Sequence, residues 1–440
     1  MKERVYRIDG GRPVRGEITC LGAKNFITKA MVASVLGDGP TTLTNVPRIG
    51  DTQITADMLQ AIGAEIAYDR SAGTMRIDPR PIQRSVVPLP DSGSNRVPIL
   101  LLGALLHRFE EVAVPALGGC RIGRRPVDFH LGAIQQFGGK VEESDDGFLA
   151  RRAGRLRATR VVLPYPSVGA TETSLYLSVL AEGRSIISNA AIEPEILELV
   201  TMLRGMGAVI YTSPGREILV DGVKRLRGTT MSILGDRIEA ASWACLACAS
   251  AGEITVHGIR PEILGNFLSY FRQVGGGFEF VGAESIRFHR QSALSPAVIE
   301  TDVYPGFSTD WQQPFAVLLT QADGVSVIHE TVYEDRFGYL RAMNDLGARS
   351  QLTTHCLGGG ACRYRNGNSE HSALIFGPSA LRAVDCIRIP DLRAGLAYVV
   401  GAAVASGTTK IAGLPFLERG YGNIVPRLAA MDLRIEEAEI

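Results

Sequence analysis

Lysine is scarce in this chain: 6 of its 46 basic residues, the other 40 being arginine. Net charge is absent too, since 46 acidic residues balance them. Nothing in that balance asks for nucleic acid or an anionic membrane as partner. Long apolar runs are also missing. The longest, such as VPILLLGALL, fall short of the about 18 residues that a spanning helix needs. The opening MKERVYRIDGGRPV contains no apolar h-region, so no secretory signal is expected. Cysteines number seven in 440 residues, an odd count without the spacing of a disulfide framework, which points to a reducing compartment. These absences lead to the expectation of a soluble, cytoplasmic protein.

What is present is repetition. A chain of 440 residues exceeds what one core usually holds, so two or more domains are expected. A helix-to-strand join ending in a turn recurs as ASVLGDGPTTLTNVP, GALLHRFEEVAVPAL, SVLAEGRSIISNAA, ACASAGEITVHGI, LLTQADGVSVIHETV and AAVASGTTKIAGLP. A second join follows each, with a glycine at Gly63, Gly138, Gly207, Gly275 and Gly347 and Asp432 in the last place. Between the joins the period is helical: Ile196, Leu199, Val200, Leu203 and Met206 share a face, as do Ile263, Phe267, Leu268, Phe271 and Val274. Six units of helix, strand, helix and strand imply two similar α/β domains with a cleft between them.

The first helix of each unit opens on a polar cluster: Lys24 and Asn25; Asn95 and Arg96; Ser167, Gly169 and Thr171; Asp236 and Arg237; Asp310; Asp391 and Arg393. The second helices are expected to open with Asp51, Arg125, Glu193, Arg336 and Arg419. Capping accounts for Asp, Asn, Ser and Thr at such places. It does not account for Lys24, Arg96, Arg125, Arg336, Arg393 and Arg419, because a cation opposes the dipole at a helix start. If those starts converge, they would hold a multiply charged anion on free amides and guanidinium groups. Asp310 and Asp391 are then candidate general bases, whereas Asp236 and Glu239 read as caps and salt-bridge partners.

The first join is short everywhere except in the second unit, where it lengthens to VPALGGCRIGRRPVD. Glycines make that segment pliable enough for a lid, and Arg121, Arg124 and Arg125 would lower the thiol pKa of Cys120. Other signals are weaker. Cys245 and Cys248 form a lone CxxC in an apolar helix and read as core. His355, Cys356, Cys362 and His371 offer enough donors for a metal, but their spacing matches no familiar site, and no metal is expected. Glycine-rich LGGGAC lacks the following GKS or GKT of a phosphate loop. His130 and His329 read as structural or nucleotide-contacting.

Together GAKN, GGCRIGRRPVDFH, YPSVGAT, AAIEPEI, GDRIEAA, FSTDWQQPF, TVYEDRFGY, PDLRAG and ERGYGN resemble the UDP-N-acetylglucosamine enolpyruvyl transferase (1-carboxyvinyltransferase) family of the EPSP synthase superfamily. The resemblance implies two inside-out α/β barrel domains of three βαβαββ units each, residues 24–235 forming one and residues 1–23 with 236–440 the other. It implies addition and elimination between phosphoenolpyruvate and the 3′-hydroxyl of the sugar nucleotide, with no metal or organic cofactor. By the same resemblance Cys120 is the proton donor and Asp310 the base at the hydroxyl. Lys24, Arg96, Arg125 and Arg419 hold phosphoenolpyruvate, with Arg336, Asp391 and Arg393 in support. The nucleotide is expected on Asn25, Asp310, Val332, the segment Arg125, Pro126, Val127, Asp128, Phe129 and His130, and Ser167, Val168 and Gly169. Departures at Tyr165, Arg124 and 351–381 leave two other readings open. One is a relative that acts on UMP or another uridine nucleotide; the other is a non-catalytic protein that binds a UDP-sugar. Shikimate-3-phosphate is a weaker acceptor, because enzymes for it lack the cysteine segment.

Overall fold

The computed structural model describes residues 3–118, 126–360, 362–390 and 395–440. Cys120, Arg121, Arg124, Arg125, Asp391 and Arg393 lie outside the described residues. The chain divides into two compact units, Gly22–Gly119 with Pro126–Leu234 and Met1–Leu21 with Gly235–Ile440.

In the unit spanning 22–234, the first helices of the repeats are Lys24–Ser34, Pro98–Leu105 and Val168–Ser178. Pro98–Leu105 reads PILLLGAL, apolar all round, and every residue of it is buried, packed against the other two helices. A helix with no polar face has to be interior. Val168–Ser178 is interior although it carries serines and threonines, because most of them bond back into their own helix, among them Thr171 Oγ1 to Ser167 O at 2.8 Å and Ser174 Oγ to Ala170 O at 2.8 Å. The sheets lie outside, with Val162 and Tyr211 on their exposed surface.

Each sheet repeats one plan. A short strand runs parallel to the strand that follows the interior helix, and a hairpin then continues antiparallel. Arg160–Val162, Arg184–Ser188, Ile218–Asp221 and Val209–Thr212 show it, in that spatial order. In the first sheet the parallel strand is Thr230–Ser232, from the far end of the unit, in register Met231↔Leu43. In the three-stranded sheet a single parallel bridge, Val86↔Ala113, takes its place.

The other unit is built the same way. Its interior helices Arg237–Ala249, Gln312–Leu319 and Gly395–Val404 pack on one another, and all of Arg237–Ala249 is buried, Cys245 and Cys248 included. Residues from the chain start complete two of its sheets. Arg15–Thr19 runs parallel to Glu253–His257, and Arg4–Gly10 lies between Gly407–Ala412 and Arg434–Glu439. The architecture is therefore α/β of the inside-out kind, six βαβαββ repeats with helices within and sheets without.

The second-join residues share a backbone conformation. Gly63, Gly138, Gly207, Gly275 and Gly347 have φ between 93° and 109°, and Asp432 has φ 53°. Asp432 is thus left-handed where the other repeats use glycine, a conformation that only Gly, and sometimes Asn or Asp, adopts readily.

Candidate active site

In the unit spanning 22–234, Lys24 is the first residue of its helix, and its Nζ lies 2.6 Å from Asp51 Oδ2 at the start of Gly50–Ala61. Both side chains are largely shielded from water, so the pair holds its geometry far better than a surface ion pair would. Asp51 is tied onward: Thr55 Oγ1 donates to Asp51 O at 2.8 Å and accepts from Asn95 Nδ2 at 3.4 Å. Asn95 Oδ1 in turn accepts from Val97 N at 2.9 Å, which starts Pro98–Leu105 and places Arg96 beside it. Two interior helix starts and one second helix are thereby linked. Asn25 and Arg96 are half-buried at these starts.

A second group stands where Asp128–Gln136 meets Val168–Ser178. His130 is buried, and its Nδ1 is 2.8 Å from Thr173 Oγ1. Ser167 caps the second helix, its Oγ accepting from Ala170 N at 3.3 Å. Gly169 has no room for a side chain, since a Cβ there would sit 2.8 Å from His130 Nε2. Pro126, Val127, Asp128 and Phe129 lead into the same place, with Val127 buried and Pro126 and Asp128 exposed. Below lies fully buried Glu172, pushed up to about 7 by burial, with the Lys29 ammonium pulling against that and Glu193 and Glu195 adding to it.

In the other unit, Asp310 and Arg336 form an ion pair at 2.5 Å, with Arg336 buried and stacked over the Tyr333 ring at 5.3 Å. Sequence reasoning missed the group that frames them. Glu330 is fully buried, and its Oε2 accepts from Gln312 Nε2 at 2.7 Å and Thr309 Oγ1 at 2.8 Å, the residues on either side of Asp310 and Trp311. Its Oε1 accepts from Val332 N at 2.7 Å and Tyr333 N at 3.0 Å. One carboxylate thus holds the side chains that flank Asp310 on one oxygen and the backbone amides of Val332 and Tyr333 on the other. A glutamate in HETVYED has no distinguishing mark along the chain; its burial next to four donors is the signal, and that is visible only in the fold.

One expectation is corrected. Arg419 does not open its helix: Gly413 and Pro415 start Leu414–Tyr421 earlier, and Arg419 falls in the last turn. A cation there complements the dipole, so Arg419 is no exception to the local rule. Asp236 and Glu239 behave as the caps and partners expected. Asp236 accepts from Ile238 N and Glu239 N, and Glu239 Oε1 accepts from Trp243 Nε1 at 2.9 Å.

A match to EPSP synthase (3-phosphoshikimate 1-carboxyvinyltransferase) runs over residues 8–428. The chain belongs to the EPSP synthase family. Among its members, a protein of Protochlamydia amoebophila named UDP-N-acetylglucosamine 1-carboxyvinyltransferase is 45% identical over 99% of this chain and 94% of its own length. UDP-N-acetylglucosamine 1-carboxyvinyltransferase 2 of Bacillus cereus is 35% identical over 97% of this chain and 95% of its own. The enolpyruvyl transferase NikO from Streptomyces tendae superposes with a TM-score of 0.86 at 22% identity, covering 100% of both chains. EPSP synthase from Acinetobacter baumannii gives 0.74 at 16% identity, over 99% of this chain and 100% of that one. At such low identity these two family structures speak to the fold alone. Among the described residues, no helix is long and apolar enough to cross a membrane.

Proposed function

We infer that this chain transfers the enolpyruvyl group of phosphoenolpyruvate to the 3′-hydroxyl of UDP-N-acetylglucosamine and releases phosphate, an early step of peptidoglycan precursor synthesis in the cytoplasm. The observation that carries this reading is identity of 45% to a relative named for that reaction, across 99% of the chain. The polar helix starts support it, because phosphoenolpyruvate brings about three negative charges, and fixed cations and amides are what such a substrate needs.

In this reading the acceptor hydroxyl loses its proton to Asp310 as its oxygen attacks the central carbon of phosphoenolpyruvate, and Cys120 protonates the methylene carbon. The same methyl carbon then gives up a proton, the C–O bond to phosphate breaks, and the enol ether forms. Arg336 orients the Asp310 carboxylate, and Glu330 holds the Thr309 and Gln312 side chains on either side of it. Lys24, set by Asp51, joins Arg96, Arg125 and Arg419 at the phosphate and carboxylate of phosphoenolpyruvate, with Asp391 and Arg393 in support. Asn25, the Pro126–His130 segment, Ser167, Val168, Gly169 and Val332 receive the nucleotide sugar.

Phosphate release with UDP-N-acetylglucosamine, UMP and shikimate-3-phosphate tests the reading. Release is expected only when phosphoenolpyruvate and the amino sugar are both present, and to fall at least about 100-fold in Cys120→Ala and Asp310→Ala. Fosfomycin should leave a covalent adduct on Cys120 by mass spectrometry. Turnover of UMP with silence toward the amino sugar would overturn the acceptor assignment, and nucleotide binding without any turnover would overturn the reaction.

A further inference from the structure

A pair of cysteines and a pair of histidines outside the candidate active site come together in the fold. The donor atoms of His329, Cys356, Cys362 and His371 all lie within 4.8 Å of one another. Along the chain the cysteine segment pointed to His355 as the fourth member; the fold uses His329 instead. His329 ends the strand Gly324–His329, and His371 immediately precedes the antiparallel strand Ser372–Gly377, in register His329↔Ser372. The loop that carries both cysteines folds back over that strand pair.

We propose that these four residues form a tetrahedral zinc site that staples the loop 354–371 to the sheet. Two thiolates and two imidazoles are a donor set that zinc takes in structural sites, with bonds of about 2.0–2.3 Å that put ligand atoms roughly 3.3–3.8 Å apart. His371 Nε2 and Cys356 Sγ are already 3.2 Å apart.

Each imidazole has one nitrogen engaged and the other turned to the cluster. His371 Nδ1 donates to Ser369 O at 2.8 Å, which leaves Nε2 as the lone-pair atom facing Cys356. His329 Nδ1 is 2.8 Å from Ser372 Oγ, while its Nε2, buried at 0% exposure, has no hydrogen-bond partner. A nitrogen buried without a partner is costly in a native fold, and a metal bond removes that cost. Orientation of ligating histidines through the far nitrogen is the usual second layer of such sites. Tyr364 N donates to Cys362 Sγ at 3.4 Å, as amides do toward metal-bound thiolates.

The loop supplies the motive. His355–His371 reads HCLGGGACRYRNGNSEH, whose only large aliphatic residue, Leu357, is 38% exposed, so it has almost no core of its own. Instead Glu300 accepts from Gly359 N and Gly360 N, and Gly358 packs so near His329 that a Cβ would sit 2.3 Å from its ring. The loop in turn reaches Val332, whose carbonyl accepts from Tyr364 Oη at 2.7 Å. Zinc enters with loss of the two thiol protons and no change of oxidation state.

Untagged full-length protein, purified without chelator, is expected to contain one zinc per chain by plasma mass spectrometry. Cobalt reconstituted into metal-free protein should show thiolate-to-cobalt charge transfer. Cys362→Ser and Cys356→Ser should each reduce zinc to below about a tenth of an equivalent. His355→Ala and Cys386→Ser should keep it. Metal-free wild type should melt lower than zinc-loaded protein, with the difference abolished in Cys362→Ser. Three results would overturn the proposal: no zinc in protein from zinc-supplemented cells together with no binding of added zinc, a Cys356–Cys362 disulfide in the freshly isolated chain, or full zinc content in both cysteine variants.

Discussion

Replacing Glu330 should separate a framing carboxylate from a passive core residue. In Glu330→Ala the buried Gln312 amide is stranded, and Thr309, Val332 and Tyr333 lose the acceptor that fixes them. A buried donor left without a partner costs about 1–3 kcal/mol. Gln312 is fully buried and bears the whole penalty, while the other three are half-buried and recover part of theirs from water. With the void left by the side chain, the total comes to about 4 kcal/mol. For a unit of this size that lowers the melting temperature by about 10 °C. Glu330→Gln keeps the shape. Its oxygen can serve Val332 and Tyr333, while its amide faces Thr309, whose hydroxyl can rotate, and Gln312, which can turn over because Tyr339 Oη beyond it can accept as well as donate. The expected loss for Glu330→Gln is about 1 kcal/mol. Thermal melts and steady-state phosphate release at 25 °C distinguish the two. Glu330→Ala should lose at least about tenfold in kcat below its melting range, and Glu330→Gln far less. If the two variants melt together, or Glu330→Ala melts with wild type, the carboxylate does not frame the Asp310 segment.

Three further outcomes follow from local geometry. Glu172, raised from 4.5 to about 7 by burial, holds a proton in the folded state that the unfolded chain releases, so its contribution is intact below about pH 4.5 and is lost as pH rises to about 7. That loss is about 3 kcal/mol, so Glu172→Gln should melt above wild type at pH 8 and nearly with it at pH 4.5; parallel melting curves across that range would refute the assignment. At the second joins, Gly207 has φ 106° and open space around it, so Gly207→Ala isolates backbone strain and should cost about 1–2 kcal/mol, whereas Asp432→Gly should be neutral or stabilising by up to about 1 kcal/mol in urea unfolding. Gly169→Ala pushes against the His130 ring and should raise KM for the nucleotide sugar several-fold more than it lowers kcat; an unchanged KM would remove His130 from the nucleotide's surroundings.

The repeats were legible because local chemistry writes them. A left-handed residue at each second join leaves a glycine, and an interior helix leaves an apolar run such as PILLLGAL. Strand Arg4–Gly10 was legible only through the family resemblance, since its neighbours Gly407–Ala412 and Arg434–Glu439 lie some four hundred residues away and pairing leaves no local trace. Arg419 was misplaced because helix length was judged from motif spacing; Gly413 and Pro415, read as the end of a join, are the start of the helix. His329 escaped for a related reason. Only the register His329↔Ser372 brings it beside His371, and no spacing along the chain reports a register.

The repeat is broken in the two units that carry Cys120 and Asp310. The first join carries a left-handed residue at Asn45, Asn189, Gly258 and Gly413, in the first, third, fourth and sixth units. Asn45 and Asn189 add a side-chain bond across the sheet, each at 2.8 Å, to Ile233 O and Leu163 O. The second and fifth units abandon this device. In the second the join is replaced by the long segment bearing Cys120. In the fifth Glu330 stands in its place without positive φ, and its carboxylate turns the chain by accepting from the amides of Val332 and Tyr333. A backbone turn needs no charge, and a buried glutamate is a costly way to make one. Its use is explained by what the second oxygen does, which is to hold Thr309 and Gln312 on either side of Asp310. The fifth unit is also the one whose last hairpin is interrupted by the His-Cys loop, and that loop bonds to the carbonyl of the same Val332 that Glu330 holds by its amide. Both departures of this unit therefore act on one short segment, the one that leads to Arg336 and its ion pair with Asp310.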